Sequence, residues 1–317
     1  MYHHILMIFP KEIRPLFEFA CNRETVVNEI RIRADKPVLV MEGDKEWFLD
    51  KDGSYTKELC KAKCLTKEEV EKLVMHICQY SIYAFEEEMR QGYITVTGGH
   101  RVGMVGQAVT DGRGKVRTLK HICGINIRVA HQVIGAAEAV LPIVYKDAYP
   151  RSVLIVSPPG AGKTTLLRDL VRCLSNGNRY GTGVTVGIVD ERSEIAGSYL
   201  GQPQNEVGMR TDVLDACPKG EGMMMLLRSM SPKVIAIDEL GTEEELQAVR
   251  VVASCGSKVV ATMHGDSMED LKRRKWMDVI LQEKLFEIII FLKREKGKCV
   301  VKSIFDTEEG EWTCRGY

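Results

Sequence analysis

The pattern of apolar and polar positions changes character midway along the chain. In the first half, Glu29-Ile30-Arg31-Ile32-Arg33 alternates with period two, as a strand with one buried face requires, and Pro37-Val38-Leu39-Val40-Met41 predicts a second short strand. Gly43-Asp44 ahead of Trp47-Phe48-Leu49 is a hairpin signal. Thr66-Lys67-Glu68-Glu69 is a capping box, opening a helix that carries Val70, Leu73, Val74 and Ile77 on one face. Glu68, Glu69, Glu71 and Lys72 are its solvated side. After Gln91-Gly92 the pattern returns to strands, over residues 93–97, 101–106 and 124–129.

Beyond residues 141–150, where Pro142 and Pro150 bracket a polar stretch, the strands become strongly apolar: 151–156, 184–189, 234–237 and 258–262. Helical stretches separate them. Continuous apolar strands alternating with helices predict a parallel sheet covered on both faces. Residues 286–293 and 298–304, joined at Lys296-Gly297, read as an antiparallel hairpin at its edge. The expected fold class is α/β, with an N-terminal mixed α/β domain over 1–145 and a C-terminal domain over 146–317.

Composition narrows the function classes. The 317 residues carry 44 Lys+Arg against 44 Asp+Glu, so the basic excess of a protein that grips nucleic acid backbone is missing. Of ten cysteines only Cys60 and Cys64 lie close together, and no second pair completes a metal site. Reduced cysteines in a cytosolic protein are the expectation. The opening segment has no basic n-region, and the apolar run 285–292 is interrupted by Glu287 and far too short to span a bilayer. A soluble chain follows, with docking on a membrane left open.

The chemistry begins at Ser157-Pro158-Pro159-Gly160-Ala161-Gly162-Lys163-Thr164-Thr165. This segment follows a buried strand and opens a helix, the context a phosphate-binding loop demands. Gly160 and Gly162 let backbone N–H groups point at phosphates, while Pro159, Ala161 and Thr165 complete the loop. Lys163 is suited to bridge the outer phosphates and the Thr164 hydroxyl to ligate Mg²⁺. With Gly at about 7% of residues, Gly-x-Gly-Lys-[Ser/Thr] arises by chance in about one chain in a hundred of this length. Ser157 stands where the motif usually has Gly. ATP and Mg²⁺ are therefore the expected cofactors, and the C-terminal domain is expected to be a RecA-like P-loop ATPase domain.

Val234-Ile235-Ala236-Ile237 ends in Asp238-Glu239, which puts Asp238 at the carboxyl edge of the sheet, fit to hold Mg²⁺, and Glu239 beside it to polarise water. A second pair, Asp190-Glu191, ends the preceding apolar strand. Glu191 is either near the metal or lytic water, or a strand-end acid paired with Arg192 or Arg210. His264 tips the strand ending Ala261-Thr262-Met263 and is placed to sense the γ-phosphate. Arg210 and Arg228 are candidates for charge on the phosphate, in the same subunit or a neighbouring one, and equally for surface salt bridges. Lys272-Arg273-Arg274-Lys275 reads as a solvated turn and Met223-Met224-Met225 as helix packing.

In order, these elements resemble the secretion and pilus-retraction ATPases: phosphate loop, acidic box, Asp-Glu strand, and a His box in Ala261-Thr262-Met263-His264 with Asp266-Ser267. Within that superfamily the chain resembles the stage III sporulation protein AA family of endospore-forming bacteria. The shared segments are residues 28–33, Gly98-Gly99-His100-Arg101-Val102-Gly103, Asp190-Glu191-Arg192-Ser193-Glu194 with its flanks, and Gly208-Met209-Arg210-Thr211-Asp212-Val213-Leu214. The resemblance implies a homohexameric ring with nucleotide between the two domains and Arg101 or Arg128 closing over the phosphates. It also implies a cytoplasmic motor on the mother-cell side, peripherally associated with the membrane and serving a channel complex of other stage III sporulation proteins. A nucleic-acid-stimulated ring ATPase and a nucleotide-gated scaffold with little turnover are the alternatives. Against the first of these, no basic extension follows the terminal hairpin before Tyr317.

Overall fold

The computed structural model describes residues 3–21, 26–81, 85–90, 92–274, 276–295 and 298–313. Contacts divide the chain into two compact units, Met1–His131 and Gln132–Tyr317. The division falls earlier than the 145/146 boundary read from the prolines. Ala137, Val140, Leu141 and Val144 pack into the core of the second unit, and the Ala137 N–H donates to the buried Asp169 carboxylate at 2.8 Å.

The first unit is built on an antiparallel sheet of seven strands: β1 (Val27–Arg33), β2 (Leu39–Glu42), β3 (Lys45–Leu49), β4 (Tyr55–Thr56), β5 (Tyr93–Val96), β6 (His100–Thr110) and β7 (Val116–Arg128), in the order β4-β3-β2-β1-β7-β6-β5. Val27, Ile30 and Ile32 of β1 are buried in its core, so the alternation in the sequence marks a true half-buried strand. Gly43 takes a left-handed conformation in the β2–β3 turn, as a two-residue hairpin loop requires. Helix α1 (Lys67–Ile77) begins with the predicted reciprocal cap: Thr66 Oγ1 accepts from the Glu69 N–H, and a Glu69 carboxylate oxygen accepts from the Thr66 N–H. Strands β6 and β7 run longer than their sequence patterns indicate. Gln107–Thr110 pairs with Val116–Lys120 in a ladder whose side chains are mostly exposed, so no buried face imprints a period on the sequence.

The second unit carries an eight-stranded sheet: β8 (Val153–Ser157), β9 (Val186–Asp190), β10 (Thr211–Asp215), β11 (Val234–Ile237), β12 (Lys258–His264), β13 (Ile288–Glu295), β14 (Lys298–Asp306) and β15 (Glu311–Thr313). The order is β10-β9-β11-β12-β8-β13-β14-β15, parallel from β10 to β13 and antiparallel beyond. Alternate residues of the central strands face two separate cores. Val153 and Ile155 pack with α2 (Lys163–Asn176) on one side, and Leu154 and Val156 with α3 (Lys219–Ser229) and α4 (Glu243–Ser254) on the other. Burial on both faces is the reason these strands read as unbroken apolar runs. Edge strand β10 escaped the sequence reading because Thr211-Asp212-Val213-Leu214-Asp215 is only half-buried and its apolar content is low. The expected turn at Lys296-Gly297 lies outside the described residues, as do Gln91 and Lys275. Among the described residues no helix is long and apolar enough to cross a membrane.

Candidate functional site

Sheet order assembles the site. β12 lies between β8 and β11, with Ser157 in register with His264 and Ile237 with Ala261. Asp238, one step beyond β11, and the phosphate loop, one step beyond β8, therefore flank the carboxyl end of β12. Gly160 and Gly162 both have positive φ, 71° and 99°. A Cβ at Gly162 would also come within 2.9 Å of the Cys299 Cβ, so this glycine is required twice over. Gly162 is the N-cap of α2 and supplies no side-chain cap, which leaves the first-turn N–H groups of the helix without that partner. Ser157 is fully buried at the end of β8, its hydroxyl donates to the Pro158 carbonyl, and its backbone is outside the left-handed region that would call for Gly.

Lys163 is buried, its ammonium 3.1 Å from the Ser157 carbonyl and 3.1 Å from His264 Nδ1. Burial pulls its pKa below the ordinary lysine value, while Asp238 and Glu239 push it back up. An ammonium has only donors, so His264 Nδ1 accepts in this contact and Nε2 carries the hydrogen. Nε2 lies 3.0 Å from Glu239 Oε1, and Arg192 Nη1 donates to Glu239 Oε2 at 3.0 Å. The Thr164 hydroxyl donates to Asp238 Oδ2 at 2.7 Å. The other Asp238 oxygen accepts from the Thr262 hydroxyl. One connected polar network thus joins Lys163, Thr164, Asp238, Glu239 and His264.

The second acid pair is used differently. Asp190 is 2% exposed and accepts from the N–H groups of Glu194, Ile195 and Ala196 at 2.7–3.0 Å. Burial raises its pKa despite these three donors. Glu191 pairs with Lys219 at 3.0 Å, while the Arg210 guanidinium donates to the Ser175 carbonyl. The Lys219 ammonium also meets Glu245 Oε1 at 3.0 Å and donates to the Glu239 carbonyl at 3.1 Å. Asp190, Glu191, Arg192, Glu194 and Lys219 line one small cleft together with Asp238 and Glu239.

The arginines separate. Arg210 donates to the Ser175 carbonyl at 2.9 Å, at the C-terminal end of α2, so within its own subunit it lies at the opposite end of the helix from the phosphate loop. Arg228 is exposed in the last turn of α3, in a groove with Met224, Met225 and Val251. In the first unit Arg101 and Arg128 are cross-strand partners on β6 and β7, and the Arg101 guanidinium lies 4.6 Å from the centre of the Tyr93 ring. Arg274, read as part of a solvated turn, donates to the His264 carbonyl at 2.7 Å. Sequence reasoning did not single out Thr262 or Lys219, and it offered Arg192 only as a partner of Glu191, whereas Arg192 donates to Glu239. Thr262 looked like one more residue of an apolar strand, and Lys219 carries no motif at all.

Oxygen donors of this kind, a hydroxyl and a carboxylate already in contact, match the preferences of Mg²⁺, which is usually bound through one or two protein oxygens together with phosphate and water. The strand–loop–helix geometry and the two-faced parallel sheet define a RecA-like P-loop fold. Solved structures with the same fold include the ATPase DotB of Yersinia pseudotuberculosis, with a TM-score of 0.60 at 14% identity over 94% of this chain and 80% of that one. The pilus retraction motor PilT with bound ADP matches with a TM-score of 0.59 at 15% identity, over 90% and 81% of the two chains. Residues 2–312 match the family described as "Sporulation stage III, protein AA", and the chain belongs to that family. The stage III sporulation protein AA of Bacillus subtilis (strain 168) is 41% identical over 282 residues, 89% of this chain and 87% of that protein.

Proposed function

We propose that the chain is a Mg-ATP-hydrolysing ring motor that energises assembly or transport by a membrane channel complex during endospore formation. The observation that carries the reading is the convergence of an ammonium, a hydroxyl and two carboxylates at one end of the sheet, with Thr164 bonded directly to Asp238 at 2.7 Å. Lys163 exchanges its contacts with Ser157 and His264 for the outer phosphates, and the first-turn N–H groups of α2 receive phosphate oxygens. Thr164 and Asp238 hold Mg²⁺, which neutralises phosphate charge when bound. Glu239 takes the proton of the attacking water. His264, bonded to both Lys163 and Glu239, links occupancy at the phosphate to the orientation of the base. A further cation on the phosphate from a neighbouring subunit is to be sought among Arg101, Arg128, Arg210 and Arg228. A homohexamer, cytoplasmic and peripherally attached to the membrane, with other stage III sporulation proteins as partners, is the assembly in which we place this activity. Membership of the sporulation family supports that context.

Phosphate release by the purified protein, with its mass in solution followed with and without a non-hydrolysable ATP analogue, tests the reading. The expected result is nucleotide-dependent turnover by a hexamer, and loss of nucleotide binding in Lys163→Ala. Turnover persisting in Lys163→Ala would remove the phosphate loop from the reaction, and strong stimulation by single-stranded nucleic acid would favour a nucleic-acid motor instead.

A further inference from the structure

Glu239 has φ of +54°, a left-handed conformation that a residue with a long side chain adopts only when its surroundings compel it. Three groups hold its backbone there. The Glu239 N–H donates to Thr262 Oγ1 at 2.8 Å and, at 3.1 Å, to Asp238 Oδ1, the oxygen that Thr262 itself holds, and the Glu239 carbonyl accepts from the Lys219 ammonium at 3.1 Å. The two from other elements are fixed. Thr262 is fully buried in β12, and the Lys219 side chain is 10% exposed, tied to Glu191 and Glu245. Glu245 in turn accepts from the N–H groups of Gly241 and Thr242 at the start of α4. The Thr262 hydroxyl does a second job. While accepting from Glu239 it donates to Asp238 Oδ1, which leaves Oδ2 facing Thr164. A hydroxyl, with one hydrogen and two lone pairs, is the smallest group able to serve both neighbours at once.

We propose that Thr262 and Lys219 are positioning residues for Glu239. They grip opposite ends of its strained backbone, and Thr262 also sets the rotamer of Asp238 that presents an oxygen to the metal. The inference rests on the hydrolytic reading above. Valine in place of Thr262 preserves shape and removes both hydrogen bonds, whereas serine keeps them. Methionine in place of Lys219 preserves length and removes the grip on the carbonyl.

The test compares wild type, Thr262→Val, Thr262→Ser and Lys219→Met in the full-length protein. It uses single-turnover hydrolysis, binding of a fluorescent ATP analogue with Mg²⁺ or with EDTA, and thermal melting. Thr262→Val should lower the rate by roughly 10-fold or more and raise the Mg²⁺ concentration needed for tight analogue binding several-fold, while binding in EDTA stays within about 2-fold. Thr262→Ser should recover most of the loss. Lys219→Met should lower the rate without moving the Mg²⁺ requirement, because Lys219 does not touch Asp238. In a Glu239→Gln background, Thr262→Val should add little further loss in rate, since both changes act through one group. Full additivity, an unchanged Mg²⁺ requirement in Thr262→Val, or equal losses in the valine and serine variants would overturn the proposal. Wild type that binds the analogue without hydrolysing it would instead sink the motor reading, and the Mg²⁺ titration would still judge the Thr262–Asp238 contact.

Discussion

Strands β9 and β11 lie side by side in one parallel sheet, and each runs out of apolar residues into Asp-Glu. After β9 the aspartate turns inward, where three successive backbone N–H groups close over it, and the glutamate is taken by Lys219. After β11 the aspartate meets two threonine hydroxyls, one from the phosphate loop, and the glutamate meets His264 and Arg192. Identical dipeptides thus become a loop anchor in one place and a candidate metal and base pair in the other. What differs is the neighbour. β11 is flanked by β12, which brings Thr262 and leads on to the phosphate loop, whereas β9 is separated from that loop by β11 and β12. Two histidines repeat the contrast. The His264 side chain is 42% exposed and bridges Lys163 to Glu239, while His100 is buried in the first unit, its Nδ1 accepting from the Ala130 N–H.

The largest expected effect sets the two glutamates against each other. Glu239→Gln should bind ATP normally and lose about 10²–10⁴-fold in turnover, as removal of a general base does. Glu191→Gln, which weakens only a partly exposed pair with Lys219, should lose less than about tenfold. Equal losses in steady-state phosphate release would erase the distinction.

Next comes the pH dependence of the first unit. Burial, with the charges of His131 and His4, pushes His100 from the ordinary 6.5 down to about 4. Above pH 6.5 the group is neutral folded or unfolded. Between 6.5 and about 4 the unfolded chain takes up a proton that the folded chain refuses, so stability falls with pH, by about 3 kcal/mol in all. Urea denaturation of wild type and His100→Gln at stepped pH should show that slope in the first and a reduced slope in the second. An unchanged slope would place the acid sensitivity elsewhere.

The smallest effect concerns Asp190. Asparagine keeps one acceptor oxygen and turns an NH₂ group towards backbone N–H donors, so Asp190→Asn should cost about 2 kcal/mol of stability. Nucleotide affinity should change little. A variant that melts normally but fails to bind nucleotide would promote Asp190 from anchor to ligand.

Much of this was legible before any coordinates. Gly160, Gly162, Lys163 and Thr164 are fixed by a contiguous motif whose chemistry is local, because backbone N–H groups, a helix N-terminus and one lysine come from a single stretch of chain. The apolar runs at 153–156 and 234–237 were legible because burial on both faces leaves no polar residue to break them. The β6–β7 extension and edge strand β10 were not, since exposed or half-exposed ladders are held by backbone hydrogen bonds that any side chain permits. Arg210 shows the limit for a site residue. Its sequence position allows a role at the phosphate, and only its bond to Ser175 reveals which end of α2 it occupies.

By itself the sequence determined that a phosphate loop exists, that an Asp-Glu follows an apolar strand, and that a histidine tips another. Which acid pair faces the loop, what grips Glu239, and that Lys163 reaches His264 were decided only by strand order and register. Side-chain identity sets what a group is able to do. The partner it finds across the sheet, many residues away in the chain, depends on how hydrogen-bonded strands are stacked side by side, and that order is written in no local pattern.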